Sequence, residues 1–222
     1  MTSSYRLNMS KLNYKEFYRR NLPHYQPEGA VFAISFRLAF SLPRSILAQL
    51  QAEKTEYDKV SEKLSGKEKE NYTYEFKRKY FEDFDNFIDK YQSDSDWLRE
   101  VEIAEIVKNS LLFLDKKKYL LHCFTIMPNH LHLILEPVMK AESRFSIAEI
   151  MHSLKGYTAM ECNKKLCRKG QFWQHGHYDH MIRDDNDYNY QVNYIKNNPV
   201  KAGLVKNWEE WKNVYQSSPI DY

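Results

Sequence analysis

Cysteine is scarce and scattered in this sequence. Cys123, Cys162 and Cys167 are the only three, too few for a disulfide framework, and none forms a CxxC pair, so a zinc ribbon has no support. A reducing compartment suits this usage. No continuous apolar run reaches the roughly 18 residues of a membrane span, and no leader with an apolar centre is evident. A soluble protein that is not exported is therefore expected. Internal repeats and low-complexity tracts are also missing, which sets repeat architectures aside.

What is present is apolar and aromatic. A hydrophobic share of 42% and an aromatic share of 15% over 222 residues allow a sizeable core without covalent staples. The net charge of +3 is unevenly spread. Residues 51–100 hold 10 Lys/Arg against 14 Asp/Glu, so the rest of the chain carries 23 basic and 16 acidic residues, a net of +7. A basic body with an acidic insertion suits a polyanion partner, although a solvated surface gives the same pattern.

Val31–Leu38, β-branched and aromatic after the turn signal Pro27-Glu28-Gly29, predicts a strand. Residues 43–64 and 68–91 read as two charged helices, interrupted at Gly66. Ile103, Ile106, Val107, Ser110, Leu111 and Leu114 follow one helix face, closed by Lys116-Lys117-Lys118. Tyr119–Ile126 and His130–Glu136 predict a hairpin around Met127-Pro128-Asn129. Ser146 and Glu149 form a capping box that opens a helix to about Arg168, before Gly170. Phe172–Ile182 predicts a strand. Asp184 opens a last helix, expected to stop at Asn198 before Pro199. The order β-α-β-β-α-β plus a terminal helix is an α+β, ferredoxin-like pattern with helices on one face of an antiparallel sheet. A single domain over 1–222 is expected, with a basic arm at 1–25 and a helical insertion at 43–95.

His130-Leu131-His132 lies within a predicted strand. Alternation sends both imidazoles to one face, with Cα atoms roughly 6.6 Å apart, while Leu131, Leu133 and Leu135 face the other way. Two neutral imidazoles suit a divalent ion with open positions. An isolated pair of this kind is more often a solvent-facing strand feature. Tyr194 and Asn198 share a face of the last helix at i, i+4, and Tyr194 is not needed for the core stripe of Tyr188, Val192 and Ile195. Asn198 offers an amide oxygen as a third ligand, and Tyr194 stands one turn away. A packed tyrosine and a helix-ending asparagine are the bland alternative.

Several segments carry a family resemblance. Met127–Leu133 (MPNHLHL) resembles the metal-binding segment of single-tyrosine insertion-sequence transposases of the HUH class. Tyr18–His24 (YRRNLPH), Phe172–Gln174 (FWQ), Tyr178–Asp184 (YDHMIRD) and Tyr194–Leu204 (YIKNNPVKAGL) resemble the REP-associated tyrosine transposases. The matches run in order from about residue 18 to 205, and residues 44–95 match no motif. The resemblance implies His130 and His132 as metal ligands, Asn198 as the third, Tyr194 as nucleophile and Mg²⁺ or Mn²⁺ as cofactor. Relatives of insertion sequences often carry glutamine at the third position, one methylene longer than Asn198. It further implies cleavage and rejoining of single-stranded DNA beside hairpins of palindromic repeats, through a 5′-phosphotyrosine link. A bacterial cytoplasmic, nucleoid-associated monomer, rather than a homodimer, is the expected state. A hairpin-binding protein without transposition, and a metal-dependent hydrolase that uses water, are the alternatives.

Further basic residues are candidate phosphate contacts: Arg19, Arg20, Arg37, Lys155, Lys164, Lys165, Arg168 and Lys201. Lys169 adds to the basic helix. His175, His177 and His180 form a second histidine cluster, more simply read as packing or DNA contact than as a metal site. Tyr190 is a candidate neighbour of the active site, and Glu136 lies on the histidine face of its strand.

Overall fold

A computed structural model describes residues 17–20, 22–25, 29–39, 43–90, 95–140 and 143–217, the first two segments as backbone only. The chain divides into two compact units, one of residues 1–39 with 95–222 and one of residues 40–94.

The larger unit is built on a five-stranded antiparallel sheet. In chain order its strands are β3 (Phe32–Arg37), β4 (Tyr119–Ile126), β5 (His130–Pro137), β8 (Tyr178–Met181) and β9 (Val214–Gln216). Across the sheet they run β8-β3-β5-β4-β9. The first four give the ferredoxin-like order, in which sequence-distant strands flank a hairpin. The hairpin β4–β5 turns through Met127, whose N–H donates to the His130 carbonyl at 2.9 Å. Before the sheet, β1 (Phe17–Arg20) and β2 (Leu22–Tyr25) pair as a small hairpin inside the expected basic arm. The side chains of Arg19 and Arg20 lie outside the described residues. A further short hairpin, β6 (Met139–Lys140) with β7 (Ser143–Arg144), follows β5.

Helices α3 (Val101–Leu114) and α4 (Ile147–Lys165) pack on each other, with α3 against β4. The capping box at Ser146 and Glu149 is formed: the Ser146 hydroxyl accepts from the Glu149 N–H and the Glu149 carboxylate from the Ser146 N–H. Helix α5 (Asp185–Lys201) packs against β4 and β5, where Val31, Ala33, Cys123, Ile134, Ile182, Val192 and Ile195 form a buried cluster. Ile134 shares the parity of His130 and His132, so α5 covers the histidine face. The sheet is thus covered on both sides, and β5 is buried along both faces rather than half-solvated.

Three expectations need correction. Phe172–Ile182 is not one strand. Trp173 makes an isolated bridge to Leu38, Gly176 adopts φ +78, and regular pairing resumes only at β8. Helix α4 ends at Lys165 rather than near Arg168; Cys167 then takes a left-handed φ of 52. Helix α5 does not stop before Pro199 but runs through it to Lys201. Proline lacks the N–H that would bond the Ile195 carbonyl, and the Thr125 hydroxyl of β4 donates to that carbonyl instead, at 2.9 Å. Gly203, at φ +71, closes the helix.

The smaller unit is a helical pair, α1 (Arg44–Ser61) and α2 (Gly66–Lys90), close to the boundaries read from sequence. Gly66, the first residue of α2, takes φ +54, a conformation open to glycine at little cost. Tyr57 of α1 stacks on Phe76 (4.2 Å) and Tyr72 (5.7 Å) of α2, and its hydroxyl meets Thr73 Oγ1 at 2.9 Å. No helix among the described residues is long and apolar enough to cross a membrane.

Candidate active site

Register brings a row of polar side chains onto the buried α5 face of the sheet. Ser35 of β3 and Thr125 of β4 stand directly across from His132 of β5, and Arg37 stands across from His130. Strand alternation then forces all five to one side. The two imidazoles are 4.7 Å apart between centroids, steeply inclined at 83°, with ring nitrogens within 4.8 Å of each other. Both are buried.

With the Asn129 and Asn198 amides oriented as assigned, the hydrogen bonds imply the tautomers. Asn129 Oδ1 lies 2.7 Å from His130 Nδ1 and can only accept, so Nδ1 carries the proton and Nε2 keeps its lone pair. Asn198 Nδ2 lies 3.0 Å from His132 Nε2 and can only donate, so Nε2 is again the acceptor. The proton on His132 is then on Nδ1, directed at the Ser35 hydroxyl. Both imidazoles therefore present an Nε2 lone pair, as metal-binding histidines held by a polar neighbour do. Sequence reading missed Ser35 and Asn129 in this role. Asn129 adjoins His130, and Ser35 is the polar residue of its strand with the parity of Arg37; both signals were available.

Helix α5 supplies the rest. Its start is fixed to β8: Asp184 accepts from the Asp187 N–H at 2.9 Å, while Asp187 Oδ2 accepts from Arg183 N–H at 3.0 Å and from His180 Nε2 at 2.9 Å. His180 and Asp187 are buried, so this pair is an anchor for the helix. Further along, Thr125 holds the Ile195 carbonyl, and one turn beyond Tyr194 the Asn198 amide reaches His132. The Tyr194 ring stands 6.2 Å from the His132 ring in the same chain. It is half-buried and packs against the core cluster, more than the sequence stripe implied. Its hydroxyl accepts from Lys201 Nζ at 3.3 Å, and that ammonium also lies 4.7 Å from the ring centroid.

The other candidates disperse. Lys155 donates to the carbonyls of Gln174 and Gly176, both at 2.6 Å; burial holds its ammonium down at about 8. Its charge thus clamps the loop before β8. Lys165 pairs with Glu102 at 2.7 Å, and Arg168 lies 3.8 Å over the Trp97 ring while donating to Asn163. Lys164 and Lys169 are exposed. Arg37 is half-buried, and desolvation lowers its pKa. Glu136 turns to Arg144, 3.6 Å away, and burial raises its carboxyl despite that neighbour. Among the described residues, His175, His177 and His180 join no group of three ligand-bearing side chains.

The residues gathered here lie largely within a recognised pattern. Residues 99–198 match the family model described as Transposase IS200 like. The chain is similar to the REP-associated tyrosine transposases. The one from Escherichia coli K12 is 30% identical over 91 residues, covering 41% of this chain and 50% of that protein. A Haemophilus influenzae protein of similar designation is 32% identical over 92 residues, covering 39% of this chain and 52% of its own length. The chain thus spans about half the length of the curated relatives it matches. A solved REP-associated tyrosine transposase bound to a REP hairpin aligns over 94% of this chain and 95% of its own, at 16% identity and a TM-score of 0.46.

The donor set fits a divalent ion. Two imidazole nitrogens and one carboxamide converge, and such mixed nitrogen and oxygen donors can hold a divalent ion. Holding an ion with Asn198 Oδ1 requires the amide to turn, exchanging its nitrogen for its oxygen toward His132.

Proposed function

We propose that this chain cleaves and rejoins single-stranded DNA through Tyr194, next to hairpins formed by palindromic repeats. The observation that carries the reading is that one helix, within one chain, brings Tyr194 and Asn198 to His132. His130, His132 and Asn198 would hold a Mg²⁺ or Mn²⁺ ion. Such an ion supplies a positive charge that polarises the scissile phosphate and stabilises its transition state.

The chain's own residues do the rest. The Tyr194 oxygen forms a bond to phosphorus while the bond from phosphorus to the 3′-oxygen breaks. The phenol gives up its proton and the leaving 3′-oxygen gains one, so the products are a 5′-phosphotyrosine and a free 3′-OH. Attack by another 3′-OH reverses the exchange, and no external energy source is needed because one phosphodiester replaces another. Lys201, hydrogen-bonded to the Tyr194 oxygen, stabilises negative charge there as the tyrosine attacks and again as it leaves. Ser35 and Asn129 keep the two imidazoles in the tautomer that presents Nε2. The designation of the relatives as REP-associated, together with the basic body of the chain, supports palindromic DNA as the substrate.

The test is incubation with single-stranded DNA carrying the palindromes that flank the protein's own gene, with Mg²⁺ or Mn²⁺. A covalent protein–DNA adduct is expected, absent in Tyr194→Phe. Binding without an adduct would favour a hairpin-binding protein, and cleavage that survives Tyr194→Phe would favour a hydrolase that uses water.

A further inference from the structure

Tyr190 has no part in the chemistry described above, yet it is a large, solvent-exposed aromatic beside the nucleophile. It sits one turn before Tyr194 on α5 and is 43% exposed. The two rings stack loosely, 6.3 Å between centroids and 25° between planes. Beyond Tyr194 on the same side comes the Lys201 ammonium, 3.3 Å from its hydroxyl. One edge of α5 thus presents an exposed aromatic ring, the half-buried nucleophile and a cation in sequence. Exposed Asn193 and Asn197 flank them.

Charge gives this face a direction. The first turn of α5 is acidic, with Asp185 and Asp187 behind the Asp184 cap, whereas the last turn carries Lys201. A phosphate backbone is favoured at the Lys201 end. An uncharged, flat group is what suits the Tyr190 end. A nucleotide supplies both parts, a phosphate and a base attached to it. Bases stack on aromatic side chains largely without regard to sequence, and each such stack changes affinity by about tenfold.

We propose that Tyr190 is the stacking platform for the nucleobase next to the phosphate that Tyr194 attacks. The proposal rests on the strand-cleaving function set out above. It gives Tyr190 a binding role, in which the ring fixes where along the strand the phosphate meets the Tyr194 oxygen.

Two measurements test it. In the first, adduct formation at subsaturating DNA is compared on intact strands and on strands with an abasic site on either side of the cleaved phosphate. Removing the stacked base should slow wild type about tenfold. Tyr190→Ala should be about tenfold slower on intact DNA and lose nothing further on the abasic strand. Tyr190→Phe, which keeps the ring, should respond as wild type does. Equal sensitivity to the abasic site in wild type and Tyr190→Ala overturns the proposal. In the second, Tyr194→Phe protein is irradiated with strands carrying 5-iodouracil at successive positions, and the linked peptide is sequenced by mass spectrometry. Linkage at Tyr190 is expected, and linkage only at other residues overturns the proposal. If wild type forms no adduct but iodouracil still links to Tyr190, the cleavage function fails while the platform stands.

Discussion

The two compact units of this chain use polar side chains in opposite ways. In the helical pair, most charges face water, with Asp85 a buried exception, and the exposed ones pair locally: Lys59 with Glu56 at 3.6 Å, both about two-thirds exposed, and Arg78 with Glu75 at 2.8 Å. Such pairs hold little energy and specify little geometry. In the sheet unit, Ser35, Thr125, Asn129, His130, His132 and Asn198 are wholly or largely buried, and each is fixed by a named partner. Burying so many polar groups costs stability unless every bond is made, so their positions are tightly determined. The contrast shows where this sequence encodes geometry and where it encodes solubility.

The largest expected stability effect concerns a histidine buried in the sheet unit. His122 meets the Tyr188 hydroxyl at 3.0 Å, and burial pushes its pKa down to about 4, opposed in part by Asp115. The unfolded chain, with an ordinary histidine near 6.5, therefore binds the proton first as pH falls. The contribution of His122 to stability is full above about pH 6.5 and is lost as pH falls to about 4, a change on the order of 3 kcal/mol. Urea titrations of wild type and His122→Gln across this range should show a shallower acid slope in the variant. Parallel slopes would place the acid sensitivity elsewhere.

Next come the residues that orient the imidazoles. Asn129→Ala and Ser35→Ala should each weaken Mn²⁺ binding by about 10- to 100-fold in calorimetry, with the fold retained. Unchanged affinity would separate these two residues from the site. Smallest is the helical pair, where Glu56→Gln should move folding stability by less than about 0.5 kcal/mol. A larger change would mean that this unit also depends on a fixed charge pattern.

The same contrast explains what the sequence could disclose. The β4–β5 hairpin, the capping box and the shared face of His130 and His132 follow from periods of two and 3.6, which are local. Tyr194 and Asn198 were legible as an i, i+4 pair, and their approach to His132 was expected from family motifs. The course of α5 through Pro199 was not legible, because the donor that replaces the missing N–H is Thr125, 70 residues away. Ser35 is 97 residues from His132 and becomes its partner only through strand register. The edge strand Val214–Gln216 is three residues long, too short for alternation to reveal. Lys155 read as a phosphate contact because sequence gives its charge but not the two carbonyls that occupy it.

The central claim is that Tyr194, held by α5 beside the histidine pair, forms the covalent link to DNA. Protein incubated with single-stranded palindromic DNA and Mn²⁺ is digested with nuclease and protease, and the peptides are sequenced by mass spectrometry. A nucleotide attached through its 5′-phosphate to Tyr194 is the predicted result. A nucleotide attached to Tyr190 or another tyrosine, with Tyr194 unmodified, would contradict it.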